Sequence, residues 1–142
     1  MSVAESVEPE EHCLKALVVE DEKDMETLIS YHLNKEGIQT TPAKDGEHGL
    51  NLALKRDFDI IVLDLMLPMV SGMEICRQLK LRNRLEQTPI LLVTAVSESI
   101  VENLLSRLEV AEVVFKPFKP EEFMKKVRKI MGRSREEQPP NP

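Results

Sequence analysis

The chain has 142 residues with a formal net charge of −6; 42% of them are hydrophobic and 31% charged, with four Phe, one Tyr and no Trp. That length suits one domain, and the aliphatic content is enough to bury a core without disulfides or structural metal, which excludes a disordered chain. The acidic balance argues against direct nucleic-acid binding, which needs clustered Lys and Arg, and no apolar run reaches the roughly 20 residues of a membrane span.

Met1 to His12 is acidic, contains Pro9 and lacks the apolar core of a secretory signal. Arg133 to Pro142 holds charges, Gln and three prolines. Both ends therefore read as flexible, giving an acidic tail over 1–12, a domain over 13–132, and a tail or linker start over 133–142. Cys13 and Cys76 form no CxxC pair and lack the rest of a zinc site. They read as free thiols of a reducing, cytoplasmic compartment.

Along the chain, short aliphatic runs alternate with segments of helical period. Leu14 to Val19 reads as a strand, and Met25, Leu28, Ile29 and Leu33 form one helical stripe before Gly37. A weaker strand over about Ile38 to Thr41 leads to Asp45 and Gly46, then to a helix ending near Arg56. Phe58 to Leu63 is rich in Ile and Val, as a strand covered on both faces should be. A helix from about Met73 to Leu81 precedes the strand Ile90 to Val93. The stripe Ile100, Val101, Leu104, Leu105 and Leu108 precedes the short strand Val113 to Phe115. The last helix has Pro120, Glu121 and Glu122 in its first turn and Lys125, Lys126, Arg128 and Lys129 towards its end, so its charges complement the helix dipole. Five such pairs imply a doubly wound parallel α/β sheet flanked by five helices.

Several of these runs end in polar residues: Val19 in Glu20-Asp21-Glu22, Leu63 in Asp64, Val93 in Thr94 and Phe115 in Lys116. All strand carboxyl ends of such a sheet share one edge, where ligands bind, so these residues are expected to converge. Carboxylates brought together repel unless a cation lies between them, and an oxygen donor set without His or Cys favours Mg²⁺. Lys116 adds a fixed positive charge and Thr94 a hydroxyl, which together suit a phosphoryl group. Asp64 is an adequate nucleophile towards an activated phosphoryl donor, and the acyl phosphate formed is a temporary mark. Taken singly, Asp64 is a turn residue, Lys116 a solvated strand end, Thr94 a helix cap and Glu22 or Asp24 a helix-dipole acid; only the combination carries chemistry. His12, His32 and His48 are scattered and receive no role, and Met66, Met69 and Met73 read as packing.

Val18-Val19-Glu20-Asp21-Glu22, Asp64-Leu65-Met66-Leu67-Pro68 with Gly72, Thr94-Ala95 and Phe115-Lys116-Pro117-Phe118 together resemble the signature blocks of response-regulator receiver domains, over about residues 14 to 131. The resemblance implies a flavodoxin-like sheet of order 2-1-3-4-5. It implies phospho-acceptance on Asp64, with Asp21, Asp64 and the Met66 backbone carbonyl as Mg²⁺ ligands, Glu20 acting largely through water, and Mn²⁺ able to substitute. It further implies phosphoryl contacts from Thr94, Ala95 and Lys116, and a cis bond before Pro117. The donor would be a histidine kinase or histidine phosphotransfer protein, and the receiver of the signal a downstream protein or fused output domain. The only catalysis would be the chain's own phosphorylation and dephosphorylation.

The family usually places Tyr or Phe three residues before the Lys, where this chain has Val113, and the loop before the last strand lacks the usual Gly. Apolar Met66 and Val96 suggest shielding of the acyl phosphate from water, hence a long-lived phosphorylated state. Two other classes compete: a receiver-like binding module independent of phosphorylation, and a phosphatase of the haloacid-dehalogenase type. The latter wants a second Asp two residues after the nucleophile, where Met66 stands.

Overall fold

The computed structural model describes residues 13–132. The expectations for the two tails lie outside the described residues. The elements alternate: β1 (Lys15–Val19), α1 (Lys23–Lys35), β2 (Gln39–Ala43), α2 (Gly46–Lys55), β3 (Ile60–Asp64), α3 (Gly72–Leu81), β4 (Ile90–Thr94), α4 (Glu98–Leu108), β5 (Glu112–Phe115) and α5 (Pro120–Met131). All strand pairs are parallel, in the order β2-β1-β3-β4-β5. The alternation led to the parallel sheet, and the strand order is the flavodoxin-like one that the resemblance implied.

Side chains alternate across a strand, so each strand feeds two layers. Leu17, Ile61, Leu63, Ile90 and Leu92 face α2, α3 and α4 through Ala53, Ile75, Leu79, Val101 and Leu108. Ala16, Val18, Ile60, Val62, Leu91 and Val93 face α1 and α5 through Ile29, Leu33, Phe123, Val127 and Ile130. Burial on both faces explains why β3 and β4 read as unbroken aliphatic runs.

Strand ends differ from the sequence expectation by one or two residues, and β2 differs in content as well: it runs on to Ala43 and contains Pro42, opposite Val18. Proline has no N–H for the ladder, but β2 is an edge strand and pairs only with β1, so it needs no donor on its outer side. The helix ends follow local rules. Gly37, at φ +87, closes α1 with Gly37 N donating to Asn34 O and Ile38 N to Leu33 O, a Schellman pair. Asn83 plays the same part after α3 at φ +57. Arg84 then donates to the Ala53 and Leu54 carbonyls at 2.8 and 3.0 Å, capping the end of α2. The Lys116–Pro117 peptide bond is cis.

Candidate functional site

The site lies where β1, β3, β4 and β5 end on one edge. Glu20 follows β1, and its backbone N–H donates to Ala43 O of the neighbouring strand at 3.1 Å. Its side chain is buried, with Oε2 accepting from the Glu22 N–H at 3.2 Å. Asp21, the next residue, is exposed. Asp64 closes β3 as its last residue, one later than the sequence run indicated, and is buried. Its Oδ1 accepts from the Met66 N–H at 3.0 Å, which pins the carboxyl group at the head of the following loop.

That loop is held by two close approaches. Gly72 N–H donates to Leu65 O at 3.0 Å, and a Cβ at Gly72 would lie 2.4 Å from Asp64 O. On the other side Gly46, at the start of α2, donates to Pro68 O at 3.1 Å. Met66 itself projects outward and is 64% exposed.

Lys116 joins the acids from the far edge of the sheet. Its Nζ lies 3.1 Å from Glu20 Oε1 and 3.1 Å from Asp64 Oδ2, and its side chain is only 14% exposed. The Lys116 N–H also donates to Thr94 O at 2.7 Å, so β4 and β5 are tied together at the site. Thr94 is fully buried, and its Oγ1 accepts from the Val96 N–H at 3.0 Å, leaving the hydroxyl proton free to donate elsewhere. Ala95 is exposed beside it, and Val96 is half-buried. Val113 is half-buried on the α2–α4 face, paired with Leu92, two residues below the site edge.

Burial, then the negative charge of Asp64, pushes the Glu20 carboxyl up to about 6, against the opposing pull of the Glu22 N–H and Lys116. For Lys116, burial works against the charge, but Asp64 and Glu20 outweigh it and hold the ammonium above the usual lysine range. Glu20, Asp21 and Asp64 each offer an oxygen within 4.8 Å of the others. An all-oxygen set of this spacing fits a hard divalent cation such as Mg²⁺, which would relieve the repulsion that raises Glu20.

The structure thus brings together Glu20, Asp21, Asp64 and Lys116, with Thr94 bonded to the Lys116 backbone. A cavity of about 630 Å³ adjoins the acids, lined by Glu20, Asp21, Lys23, Glu26, Lys44 and His48 among others. Lys44 drew no attention in the sequence and His48 was given no role, because nothing local signals that the β2–α2 turn lies beside the end of β1.

A sequence model of the response regulator receiver domain matches residues 16–128. The chain belongs to the response regulator receiver family. Among curated relatives, 40% identity over 120 residues links it to the alkaline phosphatase synthesis transcriptional regulatory protein PhoP of Bacillus subtilis, covering 84% of this chain and 49% of that protein. The response regulator ArlR of Staphylococcus epidermidis is 35% identical over 117 residues, covering 82% and 52%. The chain spans about half the length of these relatives. Among solved structures, the response regulator TrrA of Thermotoga maritima in complex with Mg(2+)-BeF is 31% identical with a TM-score of 0.72, covering 82% of this chain and 98% of that one. Chemotaxis protein CheY4 of Vibrio cholerae is 26% identical with a TM-score of 0.76 and the same coverage. The acidic pocket of this receiver domain is of the kind that accepts phosphoryl groups and Mg²⁺ in the family. Among the described residues no helix is long and apolar enough to cross a membrane.

Proposed function

We propose that this receiver domain accepts a phosphoryl group on Asp64 from a histidine kinase or histidine phosphotransfer protein. The observation that carries the reading is the meeting of Asp64 with Glu20, Asp21 and Lys116, residues up to 96 positions apart in the chain. In this reading an Asp64 oxygen attacks phosphorus, the bond from phosphorus to the donor nitrogen breaks, and its electron pair leaves with the imidazole. Asp21, Asp64 and the Met66 carbonyl, with Glu20 alongside, would hold Mg²⁺, which when bound would supply charge neutralisation for the transferring group. Lys116 stabilises the phosphoryl oxygens from the other side, and the Thr94 hydroxyl and the Ala95 backbone offer them donors. The readout is a change in the surface of α4, β5 and α5, passed to a downstream protein or fused output domain.

The test is intact-mass analysis after treatment with acetyl phosphate and Mg²⁺. One added phosphoryl group is expected on the native chain and none on Asp64→Asn. A native chain that gains no mass would leave the phosphorylation-independent binding module as the better reading. Sustained turnover of a phosphoester would favour the phosphatase instead. Val96, half-buried just past the end of β4, supports slow water attack. The mass gain is expected to outlast removal of the donor by minutes, and its loss within seconds counts against this shielding.

Metal binding has a pH signature of its own. Mg²⁺ favours ionised Glu20, so the proton taken up near pH 6 opposes it. Saturating Mg²⁺ is expected to raise the melting temperature by several degrees at pH 7.5, in line with roughly 2 to 3 kcal/mol at a hundredfold excess over Kd. The rise should be much smaller at pH 5, and an equal shift at both would refute the role of Glu20.

A further inference from the structure

At the end of the sheet opposite the acidic site lies a second cleft, of about 420 Å³, a volume in the range of ligand and peptide sites. Leu14, Val110, Ala111, Ile130 and Met131 form apolar walls. Asp59, Glu86 and Glu109 bring three carboxylates to it, and among the described residues that line it none is Lys, Arg or His. The cleft is therefore apolar inside and acidic in charge.

These acids are only lightly engaged. Asp59 Oδ2 accepts from the Lys15 backbone N–H at 2.8 Å. Glu109 meets Lys80 at 3.4 Å, with both side chains about half exposed, a pair that contributes little. Glu86 makes no ion pair among the described residues.

Ile130 and Met131 are the last residues but one and the last of α5, so the chain leaves this helix at the wall of the cleft. The sequence then continues Arg133-Ser134-Arg135. We infer that residues 133–137 dock in this cleft, with Arg133 and Arg135 seated among Asp59, Glu86 and Glu109. The inference is independent of phosphorylation and goes beyond it.

Reach and charge both select this occupant. Three residues beyond Gly132 span at most about 10 Å, so Arg135 stays close to the cleft whatever path the chain takes. Tethering at such short range gives an effective concentration of about millimolar, at which modest ion pairs suffice. Arginine matches the lining, because its stem lies along apolar walls while the guanidinium engages a carboxylate in a forked pair. The other end of the chain also arrives here, through Leu14, but residues 1–12 carry Glu5, Glu8, Glu10 and Glu11 and no Lys or Arg. Like charge disfavours that segment. Docking ties the outgoing chain to Val110 and Ala111, the turn that leads into β5, and so sets the direction in which the rest of the chain leaves the domain.

The test uses limited trypsin digestion of the full chain at low salt, followed by intact mass. Cleavage after Arg133 and Arg135 is expected to be about fivefold slower in the native chain than in the double variant Glu86→Gln/Glu109→Gln, because cleavage follows the undocked population. Glu98→Gln, at the opposite end of α4, should match the native rate. Equal rates in the native chain and the double variant overturn the inference. A second measurement leaves the domain untouched: the amide resonances of Glu86 and Ala111 should move in Arg133→Gln/Arg135→Gln, and unmoved resonances overturn the inference. Movement caused instead by Glu8→Gln/Glu10→Gln/Glu11→Gln would assign the cleft to the other end of the chain, and movement that fades on tenfold dilution would assign it to a second copy. Either result overturns the docking of residues 133–137.

Discussion

Lys116→Met is expected to slow phosphoryl acceptance by about 10²- to 10³-fold, the usual effect of removing one preorganised charge from a transferring group. The same substitution should destabilise the metal-free protein by about 2 to 3 kcal/mol at pH 8, because it leaves two buried carboxylates facing each other without a cation. The pH dependence has a definite sign. Glu20 has an ordinary value of 4.5 and about 6 in the folded protein, so the stability it contributes is complete below 4.5 and is lost as pH rises through 6. Without Lys116 the folded value climbs further, and the loss extends to higher pH. Lys116 stays charged throughout this range, since its own value is raised. The gap between native and variant stability should therefore be widest at pH 8 and clearly smaller at pH 5, where Glu20 is protonated in both. Urea unfolding in EDTA at the two pH values measures it, and an identical gap would show that Glu20 does not sense Lys116.

Gly46→Ala is expected to cost more than about 3 kcal/mol, a large part of the roughly 5 to 15 kcal/mol that holds a domain together. A Cβ there would lie 1.5 Å from Val70 O and 2.4 Å from Val70 C, and backbone has no rotamer with which to yield. Either α2 retreats or the loop after β3 shifts, and that loop carries the Met66 N–H that pins Asp64. A melting temperature lower by about 10 °C or more should thus accompany weakened phosphoryl acceptance. Gly37→Ala provides the contrast. Nothing lies within 4 Å of its added Cβ, and the only cost is the left-handed backbone at φ +87, about 1 kcal/mol. If the two substitutions proved equally mild, the packing of Gly46 against Val70 would not hold in solution.

Much of the fold was legible because its signals are local. The aliphatic runs of β3 and β4, the stripe on α1 and the charge gradient along α5 each lie within one element, where periodicity reports burial directly. Pro42 shows the limit. A proline weakens any strand reading taken alone, and only the position of β2 at the sheet edge makes it harmless. The residues of the site were legible for a different reason. In a doubly wound sheet every strand ends on the same side, so polar residues at the ends of aliphatic runs must meet whatever their separation in the chain.

What local pattern leaves open is orientation. Glu20 and Asp21 are adjacent acids, yet one is buried against Lys116 and the other faces water, because consecutive side chains leaving a strand point opposite ways and the register decides which way is inward. The pairing of Thr94 with Phe115 and the seating of Gly46 on Val70 arise in the same manner, from strand register and from two loops meeting across the sheet edge. Element types and the membership of the site follow from side-chain chemistry read along the chain. Which acid is buried, which residue of β5 pairs with the threonine and which glycine tolerates no substituent are set by contacts between distant segments, and those exist only once the sheet has closed.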